Sequence, residues 1–227
     1  MKYKAVIFDL GGTLVRSPGR SDYADTTRKM ASTLNAPVEE FTRLWFEHGE
    51  DLGKGVFTGH EALIRHVCAQ LGVNTEDHLV IAAANIPYNL TKQAITVPRD
   101  DAMNVLKQLK LNGYKTGLIS DCTPAVPEIW NETPFADFID VAIFSCYVGM
   151  NKADTQIFRL AIKELAVKSR DCVYVADGIR RELANASKLG MFAIQIRVPA
   201  EIDDNPLREN WHGPIISSLK EVLDLVK

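Results

Sequence analysis

Ala5-Val6-Ile7-Phe8-Asp9-Leu10-Gly11-Gly12-Thr13-Leu14 is the stretch on which the fold turns. Four apolar residues run without interruption into an aspartate. An unbroken apolar run of this length is the pattern of a strand buried on both faces. Asp9 then stands at the strand's C-terminal end, where open α/β sheets collect their ligands. Gly11 and Gly12 let the backbone turn sharply and approach a ligand closely. A carboxylate held there can act as a nucleophile, a metal ligand or both; the plainer alternative is an Asx-type turn closing a buried strand.

Working outward, the next residues turn polar, Arg16-Ser17-Pro18-Gly19-Arg20-Ser21, and read as a hinge. Helical patterns follow with no strong strand among them. They fall near 22–34, at 38–48, at 60–71 with Leu63, Ile64, Val67 and Leu71 on one face, and at 76–95 with an interruption at Pro87. A break rich in glycine (Gly49, Gly53, Gly55, Gly59) separates two of them. Residues 17–96 are therefore expected to form a helical insertion, leaving 1–16 and 97–227 as the core. From Pro98 onward helix and strand alternate. A helix carries Ala102, Val105, Leu106 and Leu109, and strands are expected at 114–119, 141–147, 172–176 and 192–196. Helices are expected at 124–131, 154–166 and 181–189, and a last one carries Leu219, Val222, Leu223 and Val226. Such alternation implies an α/β fold with a parallel sheet and right-handed crossovers.

The 227 residues suit a sizeable core with one insertion. A net charge of −3 with no basic run gives no support for a nucleic-acid partner. No apolar stretch is long enough to span a bilayer, and the chain enters its first strand without a signal-peptide pattern, so a cytoplasmic location with no membrane partner is expected. The four cysteines (Cys68, Cys122, Cys146, Cys172) form no C-x-x-C pair, which argues against zinc; Cys146 and Cys172 read as reduced core residues.

The polar residues that follow strands are Asp9, Ser120, Lys152 and Asp177, and in a parallel sheet such ends converge on one crevice. Asp177 and Glu182 would join Asp9 to make three carboxylates. Three like charges in a partly buried crevice repel one another unless a cation sits among them, and oxygen ligands in a crevice that also takes phosphate favour Mg²⁺. Read separately, Asp177 is a turn residue and Glu182 an acid in the first turn of a helix. The Ser120 hydroxyl and the backbone N–H groups after it, starting at Asp121, suit a phosphoryl oxygen, or else cap the helix at Pro124. Lys152 can neutralise a transferring phosphoryl group and Asp9, or it is an exposed lysine before a helix.

Together these stations resemble the haloacid dehalogenase superfamily of hydrolases. Asp9 with Thr13 matches its first motif, D-x-D-x-T. Ser120 after an apolar strand matches the second, and Lys152 in Gly-x-x-Lys before Ile157-Phe158 the third. Asp177-Gly178 with Glu182, then Ala186 and Gly190-Met191, matches the fourth. The resemblance implies a Rossmann-like three-layer α/β/α core with a mobile helical-bundle cap inserted after the first motif. It implies a phosphatase in which Asp9 attacks phosphorus to form an aspartyl phosphate that water then hydrolyses. Mg²⁺ would be held by Asp9, the Gly11 carbonyl, Asp177 and Glu182, while Ser120 and Lys152 hold phosphoryl oxygens. Gly11, Gly12, Thr13 and Asp121 complete the expected phosphate pocket. The expected partner is a small phosphorylated metabolite, and the expected state a monomer or homodimer.

One departure stands out. The family's phosphatases usually carry a second aspartate two residues after the nucleophile, and here that residue is Gly11. The missing carboxyl would protonate the leaving group and then activate water, a role worth about 10²–10⁴ in rate. Three readings follow: a phosphatase favouring good leaving groups; a metal-independent 2-haloacid dehalogenase, which needs no acid but leaves Asp177 and Glu182 without a purpose; or a catalytically impaired ligand-binding or regulatory protein. Substrate choice is expected from the insertion, where Lys54 in the glycine-rich break and Arg16 at the hinge can meet an anion, or remain solvated. His60 can stand in as an acid, or only open its helix. Trp45, Phe46 and Trp130 read as packing residues.

Overall fold

The fold is seen in a computed structural model that describes residues 2–201 and 205–227. Positions 202–204, which belong to the expected core segment 97–227, lie outside the described residues.

The first strand, β1 (Ala5–Phe8), leads through the Asp9 turn to helices α1 (Arg20–Thr33), α2 (Val38–Glu47), α3 (Gly49–Gly53), α4 (His60–Gln70) and α5 (Asp77–Ile95). Helix α6 (Ala102–Leu111), β2 (Lys115–Ser120), α7 (Ala125–Ile129), β3 (Val141–Phe144), α8 (Ser145–Val148), α9 (Gln156–Glu164) and β4 (Cys172–Ala176) follow. The chain closes with α10 (Glu182–Lys188), β5 (Phe192–Ile196), β6 (Ile215–Ile216) and α11 (Val222–Leu225). Among the described residues the strands form one six-stranded sheet in the order β3-β2-β1-β4-β5-β6, parallel at every pairing.

Side chains alternate along each strand, so one strand feeds two cores. Val6 and Phe8 of β1, with Leu118, Val173, Val175 and Ile194, pack against Ala102, Val105, Leu106 and Leu109 of α6 and against the chain's end at Leu219, Val222 and Val226. Ala5 and Ile7, with Ile119, Ile143, Tyr174 and Ala193, pack against Ile157, Phe158 and Ala161 of α9 and Leu183 and Ala186 of α10. This is a three-layer α/β/α sandwich. Burial of both β1 faces explains the continuous apolar run; all four residues are fully buried.

Helices α1–α5 have an apolar core of their own, built from Met30, Leu34, Phe41, Trp45, Leu63, Ile64, Val67 and Val80, among others. The last turns of α5 (Tyr88, Ala94, Ile95) pack instead on the sheet's core. The excursion begins and ends at one point, because Val15 pairs with Pro98 in an antiparallel bridge. Helix α5 runs straight through Pro87 rather than breaking there.

Three details differ from the sequence pattern. The third strand stops at Phe144, and Ser145–Val148 turns helical. The Ser145 hydroxyl donates to the Gly53 carbonyl at 2.6 Å and accepts the Cys122 N–H at 2.9 Å, pulling the chain out of the ladder. The glycine-rich break also contains a helical turn, α3, and a two-residue edge strand, β6, closes the sheet. None of the described helices is long and apolar enough to cross a membrane.

Candidate active site

The strand order reverses between β1 and β4, and the candidate site lies at the C-terminal end of that pair, the place where doubly wound sheets open a crevice. Register holds β1 and β4 side by side, with Phe8 opposite Val175. Asp9 and Asp177 therefore leave neighbouring strands at nearly the same height. Oxygens of Asp9, Asp177 and Glu182 lie within 4.8 Å of one another, and all three residues are buried.

Lys152 sits among them. Its Nζ donates to Asp9 Oδ1 at 2.5 Å and to Glu182 Oε2 at 2.6 Å. The lysine is held from three sides: its N–H donates to Asp121 Oδ1 at 2.9 Å, Asn185 Nδ2 donates to its carbonyl at 2.8 Å, and the neighbouring Asn151 reaches Glu50 of α3 at 3.2 Å. Thr13 Oγ1 donates to Asp9 Oδ2 at 3.0 Å. Glu182 accepts the Tyr174 hydroxyl at 2.7 Å and the N–H groups of Gly178 and Ile179, each at 3.0 Å. The turn that aims Glu182 backward passes through three left-handed residues, Gly178, Arg180 and Arg181, with φ of 88°, 57° and 65°. Arg208 donates to the Asp177 carbonyl at 2.6 Å. Gly12 is required outright: its φ is +74°, and a Cβ there would lie 2.4 Å from Asp177 Oδ2.

Charge in this pocket is unbalanced. Burial, then the Glu182 charge, pushes Asp9 up to about 6 despite Lys152. Burial, then Asp9 and Glu182, pushes Asp177 up to about 8. Burial alone would lower the Lys152 ammonium, but Asp9 and Glu182 hold it well above its ordinary value. Three acids facing one ammonium make a group that can hold a divalent cation.

A family model of haloacid dehalogenase-like hydrolases matches residues 3–190. The chain belongs to the haloacid dehalogenase-like hydrolases. It is 26% identical to a glyceraldehyde 3-phosphate phosphatase of Methanocaldococcus jannaschii, with 99% of this chain and 97% of that one aligned. It is 29% identical to a protein of the same name from Methanopyrus kandleri, at the same coverage. In fold it is similar to the 2-haloacid dehalogenase of Pseudomonas syringae pv. Tomato DC3000, with a TM-score of 0.74, 19% identity, and 99% and 98% of the two chains covered.

In this hydrolase the crevice opens into a cleft of about 820 Å³ between the sheet and helices α1–α5. Of the residues singled out in the sequence, Asp9, Gly11, Gly12, Ser120, Asp121, Lys152, Asp177, Glu182 and Arg16 line it. Thr13 is buried behind Asp9. Lys54 is not among the lining residues; its ammonium pairs with Glu50 at 2.6 Å. Arg16 reaches the cleft but is tied to Glu201 at 2.9 Å. The Asp121 carboxylate is turned to the Lys152 backbone. His60 lines the cleft while packing on Trp45 at 5.9 Å between ring centres, and burial lowers its imidazole to about 4, so it is neutral at neutral pH. Trp45 and Phe46 also line the cleft, whereas Trp130 packs on Phe135 and Phe144. The four thiols are free, with Cys122 and Cys146 Sγ atoms 4.0 Å apart beyond the ends of β2 and β3.

Several residues that build the site carried no signal in the sequence. Arg99 donates to the carbonyls of Gly12 and Thr13, both at 2.8 Å, and pairs with Glu201 at 2.5 Å, clamping the loop that bears Asp9. Tyr174 falls in the strand expected at 172–176 and Asn185 in the helix expected at 181–189, with nothing to single out either, and Arg208 falls in no expected element. Only the i+3 spacing of Asn185 from Glu182 could have marked it as sharing a helix face.

Proposed function

We propose that this hydrolase is a Mg²⁺-dependent phosphatase acting on a small phosphorylated metabolite through an aspartyl phosphate at Asp9. The observation that carries the reading is the meeting of three buried carboxylates and one buried lysine at the β1/β4 reversal. Hard oxygen donors held this close, with an excess of negative charge, fit Mg²⁺. Asp9, Asp177 and Glu182, with the Gly11 carbonyl, would hold it. When bound it neutralises charge on the phosphoryl oxygens.

The residues of the chain divide the remaining work. Thr13 and Lys152 hold the Asp9 carboxylate so that one oxygen faces the incoming phosphorus. Lys152 and Ser120 take phosphoryl oxygens, with Gly12 and backbone N–H groups at the rim. Asp121, Asn185 and Asn151 fix Lys152 and the loop beneath it. Helices α1–α5 act as the cap, closing the cleft and excluding water from the phosphoryl group. The relatives named as phosphatases of a three-carbon phosphate support a small substrate. Gly11 supports a preference for leaving groups that depart without full protonation.

The test is phosphate release from an activated aryl phosphate with Mg²⁺. Release is expected to require the metal and to fall to background in Asp9→Asn. Halide release from a 2-haloacid in the presence of a chelator, without phosphatase activity, would replace this reading with the dehalogenase one.

A further inference from the structure

The vacancy that Gly11 leaves is occupied. A Cβ built on Gly11 would lie 3.0 Å from Ser17 Oγ, and no other atom comes as close. The backbone makes this approach: Leu10 accepts the N–H groups of Thr13, Leu14 and Val15, and Gly11 pairs with Val15 in a bridge, so the chain doubles back over its own first turn. Ser17, two residues later, hangs above Gly11 and lines the cleft together with Asp9. Its hydroxyl has no hydrogen-bond partner among the described residues. Lys152, Thr13 and Glu182 are committed to one another or to Asp9, and His60 is neutral.

We infer that Ser17, on the hinge rather than on the strand, is the group that meets the leaving-group oxygen in this enzyme. This rests on the phosphatase reading above. In the first step the Asp9 oxygen–phosphorus bond forms and the bond from phosphorus to the leaving oxygen breaks. The leaving oxygen keeps the electron pair. Ser17 donates a hydrogen bond to it, and solvent supplies the proton after departure. In the second step a water oxygen bonds to phosphorus while the Asp9–phosphorus bond breaks. Asp9 regains its carboxylate, the water's proton ends on the released phosphate, and Ser17 Oγ accepts a hydrogen bond from the attacking water. A hydroxyl orients and stabilises but does not ionise in the working range, so it replaces part of what a carboxyl would do.

The arrangement also predicts that an aspartate cannot simply be restored. Its Cβ alone would press on the Ser17 hydroxyl, which must give way by a few tenths of an ångström, and its carboxyl would compete with that hydroxyl for the same place.

The experiment is a series of aryl phosphates of graded leaving-group acidity, run with the full-length protein and Mg²⁺. Ser17→Ala is expected to lose on the order of tenfold to a hundredfold in kcat/KM on the poorest leaving groups and little on the best, steepening the dependence on leaving-group acidity. Ser17→Thr is expected to retain the wild-type slope. Gly11→Asp alone is expected to lose activity, and Gly11→Asp with Ser17→Gly to exceed it on poor leaving groups. An equal loss across the series, or none, with an unchanged melting temperature, overturns the role of Ser17 alone. A wild-type protein silent on every member overturns the phosphatase reading, and this inference falls with it.

Discussion

Lys152 shows how much depends on one side chain. It places a single positive charge between Asp9 and Glu182, with all three residues buried. Removing one partner from a buried charged group leaves the others unpaired, which costs about 3–5 kcal/mol. Lys152→Met is therefore expected to destabilise the metal-free protein by about that amount, and Mg²⁺ to recover part of the loss; urea unfolding with and without the ion reads both. His60 gives a second expectation. Its folded value of about 4 lies below the 6.5 of a free imidazole. As pH falls, the unfolded chain takes up the proton first. The stability tied to the neutral ring is full above pH 6.5 and is lost as pH drops toward 4, by up to about 3 kcal/mol. Denaturation measured across that window is expected to be less pH-dependent in His60→Phe. Of the residues proposed to react, Asp9, Ser120, Asp177 and Glu182 stood out in the sequence because they end or follow a strand or open a helix, placements that periodicity marks, while Lys152 lies in the loop between α8 and α9. Their supports were not, because Tyr174, Asn185 and Arg99 act through contacts made only when distant segments meet.

Among the elements, strands flanked by clear turn residues were readable, and those shaped by a neighbour were not. β1, β4 and β5 match their apolar runs closely. β3 ends early because Ser145 is claimed by Gly53 of α3 and by Cys122, partners remote in sequence. β6, with two residues, is too short to carry a pattern. The same contact region makes a prediction about the glycine-rich break. Gly55 has φ of +72°, and a Cβ on it would lie 2.0 Å from the Cys146 carbonyl oxygen. Gly55→Ala must bear the left-handed conformation, at about 1–2 kcal/mol, and still move its Cβ clear of the Cys146 carbonyl by shifting the α3–α4 loop. A lower melting temperature and faster proteolytic cleavage near residues 54–59 are expected, with the sheet's own core unaffected by hydrogen exchange.

For the whole molecule, the proposed metal and the proton would compete for one cluster. With Asp9 at about 6 and Asp177 at about 8, a bound divalent ion would displace the proton from whichever of the two is still protonated. Magnesium binding is expected to tighten between those two values and to release protons near neutral pH. Titration calorimetry in buffers of different ionisation enthalpy measures that release, and Asp177→Asn is expected to reduce it. The general plan, a parallel sheet with a helical excursion after β1, could be read from the order of elements alone. The closeness of the helical layer to the cleft could not, because loop contacts such as Glu50 with Asn151 leave no periodic trace. The bridge between Val15 and Pro98 has a wider consequence. The polypeptide departs and returns through a single doorway, so what lies beyond that threshold can lengthen, shrink or be exchanged without disturbing the strands that carry the acids. On the proposed function, most of the excursion can then vary with substrate, while the few contacts that reach back to the site, such as Glu50 with Asn151, would have to be kept.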